Sequence, residues 1–305
     1  MITHRLNFIL LALILAVGFP YYWFLLDNSG GSLPAKPITI VQLRQLAASI
    51  PGEAPYAIEA ERAAFRRVPG NLMVAGSGIK RKLIGYMAFR LLVRGGRPVM
   101  IESGITPEIA AAANAEQFNL SAQVRIDRAL DQAGMILVTH EHPDHLGALA
   151  AHGGAALSQF AWLNPRQLAA KLNWAKLPWN FARPQPRLNS TALQAVAPGV
   201  VVIPAPDSHT PGSQLIYVRL ADGHEALFVG DNSSFAQNWR ELRGRSRLVE
   251  TWFAPENRAE VFAWLKTIRA LKLEAPGLLV VPGHDWEWLE NPENRAGVRI
   301  GFSNE

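Results

Sequence analysis

The chain has 305 residues, 49% of them apolar and 18% charged, enough for one large domain or two modest ones and too apolar to be disordered throughout. It contains no cysteine, which excludes disulfide scaffolds, thiolate zinc sites, iron–sulfur clusters and cysteine nucleophiles. Thirty Lys and Arg against 25 Asp and Glu give +5, a small excess that reads as solvated surface or a basic face toward anionic lipid or substrate, ahead of nucleic acid.

Leu6 to Leu26 is an apolar run of 21 residues without a formal charge. A bilayer core needs about 20 such residues of helix, so residues 1–26 are expected to form a membrane anchor. Arg5 stands ahead of the run and no cation follows until Lys36, which directs the N-terminus to the cytoplasm and the rest of the chain to the non-cytoplasmic side. A signal peptide cut near Gly18 is the rival reading and exports the chain equally. Against it, Tyr21-Tyr22-Trp23-Phe24 extend the apolar run as an interfacial belt.

Residues 27–69 form a polar linker, 27–37, and a helical lead-in; the Ala-rich stretch beyond Pro55 is included in a helix spanning 38–66. Residues 70–305 form the main domain. Within it, 86–93 and 98–101 read as a hairpin, 107–118 and 123–133 as helices, and 135–138 as a buried strand. A clearer hairpin joins 214–220 to 225–229 through Asp222-Gly223. Residues 258–271 read as a helix and 278–281 as a last buried strand, so the class is α/β or α+β.

Histidines concentrate the chemistry. Thr139-His140-Glu141-His142-Pro143-Asp144-His145 follows the strand 135–138 directly. His140 and His142, two apart in extended backbone, point the same way, and Asp144 and His145 begin a helix beside them. Four metal-capable side chains in six positions converge on one or two cations; imidazole and carboxylate suit zinc, with iron or manganese as alternatives. His209 precedes the first strand of the 214–229 hairpin and Asp231 follows the second, so the turn brings both to one sheet end.

The stretch from His140 to His145 resembles the H-x-H-x-D-H motif of the metallo-β-lactamase superfamily. Ser208-His209-Thr210, Phe228-Val229-Gly230-Asp231 and Val281-Pro282-Gly283-His284 resemble that family's later histidine loop, Gly-Asp strand end and Gly-His strand end, in order. The resemblance implies a four-layer αββα sandwich and two zinc ions per chain. It assigns His140, His142 and His209 to one metal and Asp144, His145 and His284 to the other, with Asp231 bridging. It also implies hydrolysis by a hydroxide shared between the metals, with Asp144 as proton acceptor. Without cysteine, the branch using Cys at the second site is excluded. The 21 residues after His284 leave no room for the helical domain of hydroxyacylglutathione hydrolases, and no flavodoxin-like domain is present for a flavodiiron protein.

The leading function is a membrane-anchored dinuclear zinc hydrolase of a small substrate: an ester, lactone, lactam, thioester or phosphodiester. An iron-dependent oxidoreductase resembling persulfide dioxygenases and a non-catalytic binding module are the alternatives. Aromatic and basic residues across 160–188 are expected either to pack as a surface loop or to form a lid for lipophilic substrate or membrane. Glu102 is read as structural, His152 and His224 as surface residues, Trp286 and Trp288 as core, and Asp285 as a helix cap or a support for a ligand.

Overall fold

Strand β1, Ala57–Pro69, runs antiparallel to β2, Arg81–Leu92, along nearly its whole length, with a bulge between Arg62 and Ala64. This overturns the helix expected across 48–66: only Ile40–Ala47 is helical, capped by the Thr39 hydroxyl. Alanine and glutamate favour helix weakly, and tertiary pairing outweighs that preference here. Ala60, Ala63 and Ala64 are small enough to lie under packed layers, and Glu59 pairs across the strands with buried Arg90. Ala57–Pro69, read from the sequence as part of the lead-in, is thus a strand of the first sheet.

The computed structural model describes residues 2–152, 155–169, 184–295 and 297–303. Strand β3 (Val99–Ile101), β4 (Gln117–Phe118), β5 (Met135–Leu137) and β11 (Val298–Ile300) complete a six-stranded sheet ordered β11-β1-β2-β3-β5, with β4 pairing on β1. Strands β6 (Gln194–Ala197), β7 (Val200–Pro204), β8 (Gln214–Arg219), β9 (Glu225–Gly230) and β10 (Leu279–Pro282) form a second sheet in the order β10-β9-β8-β7-β6.

Alternating side chains along these strands build three separate cores. Leu83, Met87, Phe89 and Leu91 of β2 meet Val202, Ile216, Val218 and Phe228 between the sheets, where the Phe89 and Phe228 rings lie 4.9 Å apart edge to face. Ile84, Tyr86 and Ala88, on the other face of β2, pack under the helices Pro107–Ala112 and Leu120–Gln132. Val201, Ile203, Leu215 and Tyr217 pack under Ile40–Ala47 and Arg258–Glu274. Three cores separate four layers: helices, sheet, sheet, helices. The αββα sandwich inferred from the sequence is the observed architecture.

The apolar helix Thr3–Leu26 stands outside these layers, none of its most apolar 18-residue window buried. The linker after it is not free. Asp27 pairs with Arg247 at 2.7 Å, the Asn28 side chain joins Leu242 and Gly244, Gly30 lies against the Phe262 ring, and Lys36 pairs with Glu260 at 2.6 Å. The small residues of this polar linker permit close docking against the segment 242–247 and the helix Arg258–Glu274.

The Glu59–Arg90 pair is buried on both sides, so removing one partner strands the other charge. Glu59→Ala is expected to destabilise the fold by about 3–5 kcal/mol, read as a lowered thermal midpoint in detergent.

Candidate metal centre

Every histidine and aspartate singled out in the motifs lies at the same end of the sandwich. β5 leads into Thr139 and His140, and the Thr139 carbonyl accepts from the Gln214 amide at the start of β8. The Gln214 and Gln167 side chains both donate to the Val138 carbonyl. This seam fastens the edge of the first sheet to the second, bringing the His140 loop over the ends of β8, β9 and β10. Because β9 and β10 are parallel neighbours, Asp231 and His284 emerge side by side.

His140 Nε2, His142 Nδ1 and His209 Nε2 converge, with 3.1 Å from the His142 nitrogen to each of the other two. Asp231 Oδ2 lies 3.5 Å from the His209 nitrogen and 3.9 Å from that of His140. Asp144, His145 and His284 form a second group. There Asp144 Oδ2 lies 3.6 Å from His284 Nε2 and 4.0 Å from His145 Nε2. The other oxygen of Asp231 faces this group, 3.1 Å from His284 Nε2. Asp231 thus turns one oxygen to each group.

These separations fit metal ions. Zinc–nitrogen and zinc–oxygen bonds of about 2.0–2.2 Å place tetrahedral ligands roughly 3.3–3.6 Å apart, the middle of the range observed. The buried Nε2 of His145 has no hydrogen-bond partner among the described residues, as expected of a nitrogen that serves a cation. The site carries the carboxylates Glu102, Asp144, Asp231 and Glu256 against the single guanidinium of Arg245, an excess of negative charge suited to divalent cations.

Burial and neighbouring imidazoles hold His140 well below its ordinary pKa and bring His142 down to about 3. Burial and Arg245 do the same for His209. These three are neutral donors. Burial would raise both aspartates, but His145 and His284 hold Asp144 low, and Arg245 with His284 hold Asp231 well below the carboxylate range. His145 differs. Burial opposes its charge, yet Glu102 and Asp144 beside it raise it to about 9.

Four supporting residues escaped the sequence reading of the site. Glu102, with backbone φ of 65°, accepts from the Thr139 amide and hydroxyl through one oxygen and sets the other 3.2 Å from His145 Nδ1. It was expected to be structural; its contacts make it the orienting group for His145. Glu256 accepts from His209 Nδ1 at 2.7 Å and from Arg245 at 2.8 Å. Arg245 Nη1 also lies 2.6 Å from His209 Nδ1, but that nitrogen's proton is directed to Glu256, so the guanidinium and imidazole share a carboxylate rather than bond each other. Glu141 accepts from Gly212 and Thr210, anchoring the His209 loop. Only Glu102, beside a strand end and ahead of Ser-Gly, left a signal in the sequence.

Asp285 caps the helix Trp286–Glu290 through the Trp288 amide and also accepts from Ala236, so it is a cap and does not support a ligand. His284 is oriented instead by donating Nδ1–H to the Gly85 carbonyl at 2.9 Å. His152 pairs with Asp131 and His224 with Asp222, both away from the cluster. Trp286 is buried in the inter-sheet core and Trp288 packs against it. Residues 170–183, including Trp174, Trp179 and Phe181 of the stretch expected to be a surface loop or a lid, lie outside the described residues.

A family model described as the metallo-beta-lactamase superfamily matches residues 90–287. No curated protein matches the chain. Among solved structures, a quorum-quenching N-acyl homoserine lactone lactonase shares 16% identity at a TM-score of 0.58, over 79% of this chain and 96% of that one. An N-acyl homoserine lactone hydrolase solved with N-hexanoyl-L-homoserine at its catalytic metal centre shares 15% identity at 0.57, over 78% and 96%. A probable metal-dependent hydrolase from Staphylococcus aureus shares 11% identity at 0.55, over 77% and 91%. At these identities the likeness is one of fold.

Outer carboxylates that fix metal-binding imidazoles are worth about 10–100-fold in metal affinity. Glu102→Ala is therefore expected to weaken metal uptake by that factor at the group containing His145 while leaving the other group occupied. His152→Ala should change neither. Competition against a chromophoric chelator measures both.

Proposed function

The chain belongs to the metallo-β-lactamase superfamily, and from that premise we propose that it is a membrane-anchored hydrolase working with two zinc ions. The observation that carries the reading is Asp231, whose two oxygens face the two ligand groups separately. A complete second group, with His145 and His284 both in place, favours this over a single-iron oxidoreductase. Intact ligand groups likewise favour an enzyme over a binding module.

His140, His142, His209 and Asp231 would hold one zinc, and Asp144, His145 and His284 the other with Asp231 between them. Bound zinc supplies Lewis acidity toward a carbonyl or phosphoryl oxygen and brings the pKa of a water toward neutrality. The protein's own part is positioning and proton transfer. Glu256 and Gly85 fix the imidazoles of His209 and His284 so that Nε2 faces inward. Asp144, partly exposed at the edge of the cluster, takes the proton of the attacking water on a carboxylate oxygen.

For the substrate we favour the acyl–oxygen bond of a lactone or ester bearing an apolar chain, with lactams, thioesters and phosphodiesters as the other members of the class. Support comes from the similarity to lactone hydrolases and from an apolar helix that would keep the enzyme where lipophilic molecules partition. Arg5 ahead of that helix favours placing the catalytic domain on the non-cytoplasmic side.

The test is metal analysis of the purified protein followed by turnover across acylated lactones, esters, β-lactams, thioesters and phosphodiesters. Two zincs per chain and hydrolysis of an acylated lactone or ester are expected, whereas one iron with no hydrolysis would replace this reading by the oxidative one. Asp144→Ala is expected to abolish turnover, while His224→Ala, in the far turn of the β8–β9 hairpin, leaves it nearly unchanged. Membrane fractionation should return the full-length chain only with detergent. Recovery in a salt-soluble fraction with a new N-terminus near Phe19 would rule the anchor out.

A further inference from the structure

The C-terminal end of the apolar helix does not leave the domain; it is clamped to it. The Gly76 amide donates to the Leu25 carbonyl at 3.0 Å, and the Arg247 guanidinium lies 4.2 Å over the Trp23 ring. The Phe24 ring meets Trp252 at 4.9 Å. Asp27 pairs with Arg247, and Arg258 donates to the Asp27 carbonyl at 3.0 Å. Contacts on both sides of the last turn leave no free hinge, so the helix axis is fixed relative to the sandwich.

Two loops flank this junction, and both carry large apolar side chains into solvent. Trp252 is 58% exposed and Phe253 75%, on the turn Val249–Phe253. Ile79 is 74% exposed, on the turn whose Gly76 touches Leu25, with exposed Lys80 beside it. The apolar run Leu6–Leu26 is about 32 Å long as a helix and the hydrocarbon core is about 30 Å, so with Arg5 at one boundary the last turn lies at the other, where hydrocarbon meets headgroups. Trp252, whose ring packs at a tilt against Phe24 of that turn, stands at the same depth. Tryptophan and phenylalanine are the side chains that favour this layer.

We propose that Trp252, Phe253 and Ile79 insert into the lipid interface beside the apolar helix, so that the catalytic domain is seated on the bilayer through a second contact. The proposal rests on the membrane-anchor reading above and goes beyond it, replacing a tethered domain with one of fixed orientation. The occupant is lipid, because the patch is continuous with the helix end and shares its aromatic packing. The segment 243–253 that carries Trp252 and Phe253 also carries Arg245, which pairs with Asp231 of the metal cluster, so seating holds the cluster within one loop of the interface.

The absence of native cysteine makes a direct test straightforward. Phe253→Cys, Ile79→Cys, Leu15→Cys and Leu120→Cys, each at an exposed position, are made one at a time in the full chain. Each is labelled with a nitroxide and reconstituted into phospholipid bilayers. Collision with oxygen, which partitions into lipid, is compared with collision with chromium oxalate, which stays in water. Residues 253 and 79 should shift toward the lipid-like ratio of residue 15 and away from the water-like ratio of residue 120. A water-like ratio at 253 and 79 with a lipid-like ratio at 15 would overturn the seating while leaving the anchor intact. A water-like ratio at 15 would overturn the anchor and the seating together. Exclusion of both reagents at 253, with spin–spin broadening, would assign the patch to a second copy of the chain and likewise overturn the proposal.

Discussion

A carboxylate moved out of water costs several kcal/mol unless its charge is answered at close range, and Asp231 is buried with Arg245 against one oxygen and His284 against the other. The surrounding polar structure answers that burial in turn. Arg245 is itself buried and is balanced by Glu256, which fixes His209. On the far side His145 is balanced by Glu102, which is held by Thr139 at the end of β5. The buried charges around both ligand groups are therefore each answered by a partner at close range, with Asp231 facing both groups.

Backbone geometry makes the network reachable. Gly230 has φ of 49°, and a Cβ there would stand 2.4 Å from the Thr139 hydroxyl. At Gly283 a Cβ would stand 2.5 Å from an Asp231 oxygen. The glycines of the Gly-Asp and Gly-His strand ends are thus spaces that let three chain segments close on one point. Gly85 does the same for the first sheet, where a Cβ would meet that of Trp286 at 2.9 Å, and its backbone bonds His284 through both amide and carbonyl.

This division explains what the sequence could disclose. The metal-directed side chains lie beside strand ends, and the β8–β9 hairpin places His209, ahead of β8, beside Asp231, after β9, by its turn alone, so convergence is legible in the sequence. Arg245 and Glu256 lie in a segment without regular pattern, and their pairing with Asp231 and His209 depends on how that segment packs. The strand Ala57–Pro69 was illegible for another reason. Its alanines are small enough to pack on both faces of the sheet, Ala60 toward the second sheet and Ala63 and Ala64 toward the helices, and its Glu59 pairs with Arg90 one strand away. Both are tertiary constraints that read locally as helix preference.

The linker teaches the converse. Composition reads 27–37 as a polar linker, yet Ser29 and Lys36 find partners on the helix Arg258–Glu274, Asn28 bonds Leu242 and Gly244 ahead of it, and Gly30 occupies a position where a Cβ would run into Phe262. Arg258 connects these contacts to the metal cluster's surroundings, since it donates to the Asp27 and Ser29 carbonyls as well as to the Arg245 carbonyl. One guanidinium therefore joins the end of the apolar helix to the backbone of the residue that pairs with Asp231. A planar group with five fixed donors can hold such a junction in one geometry, which a lysine's single ammonium could not.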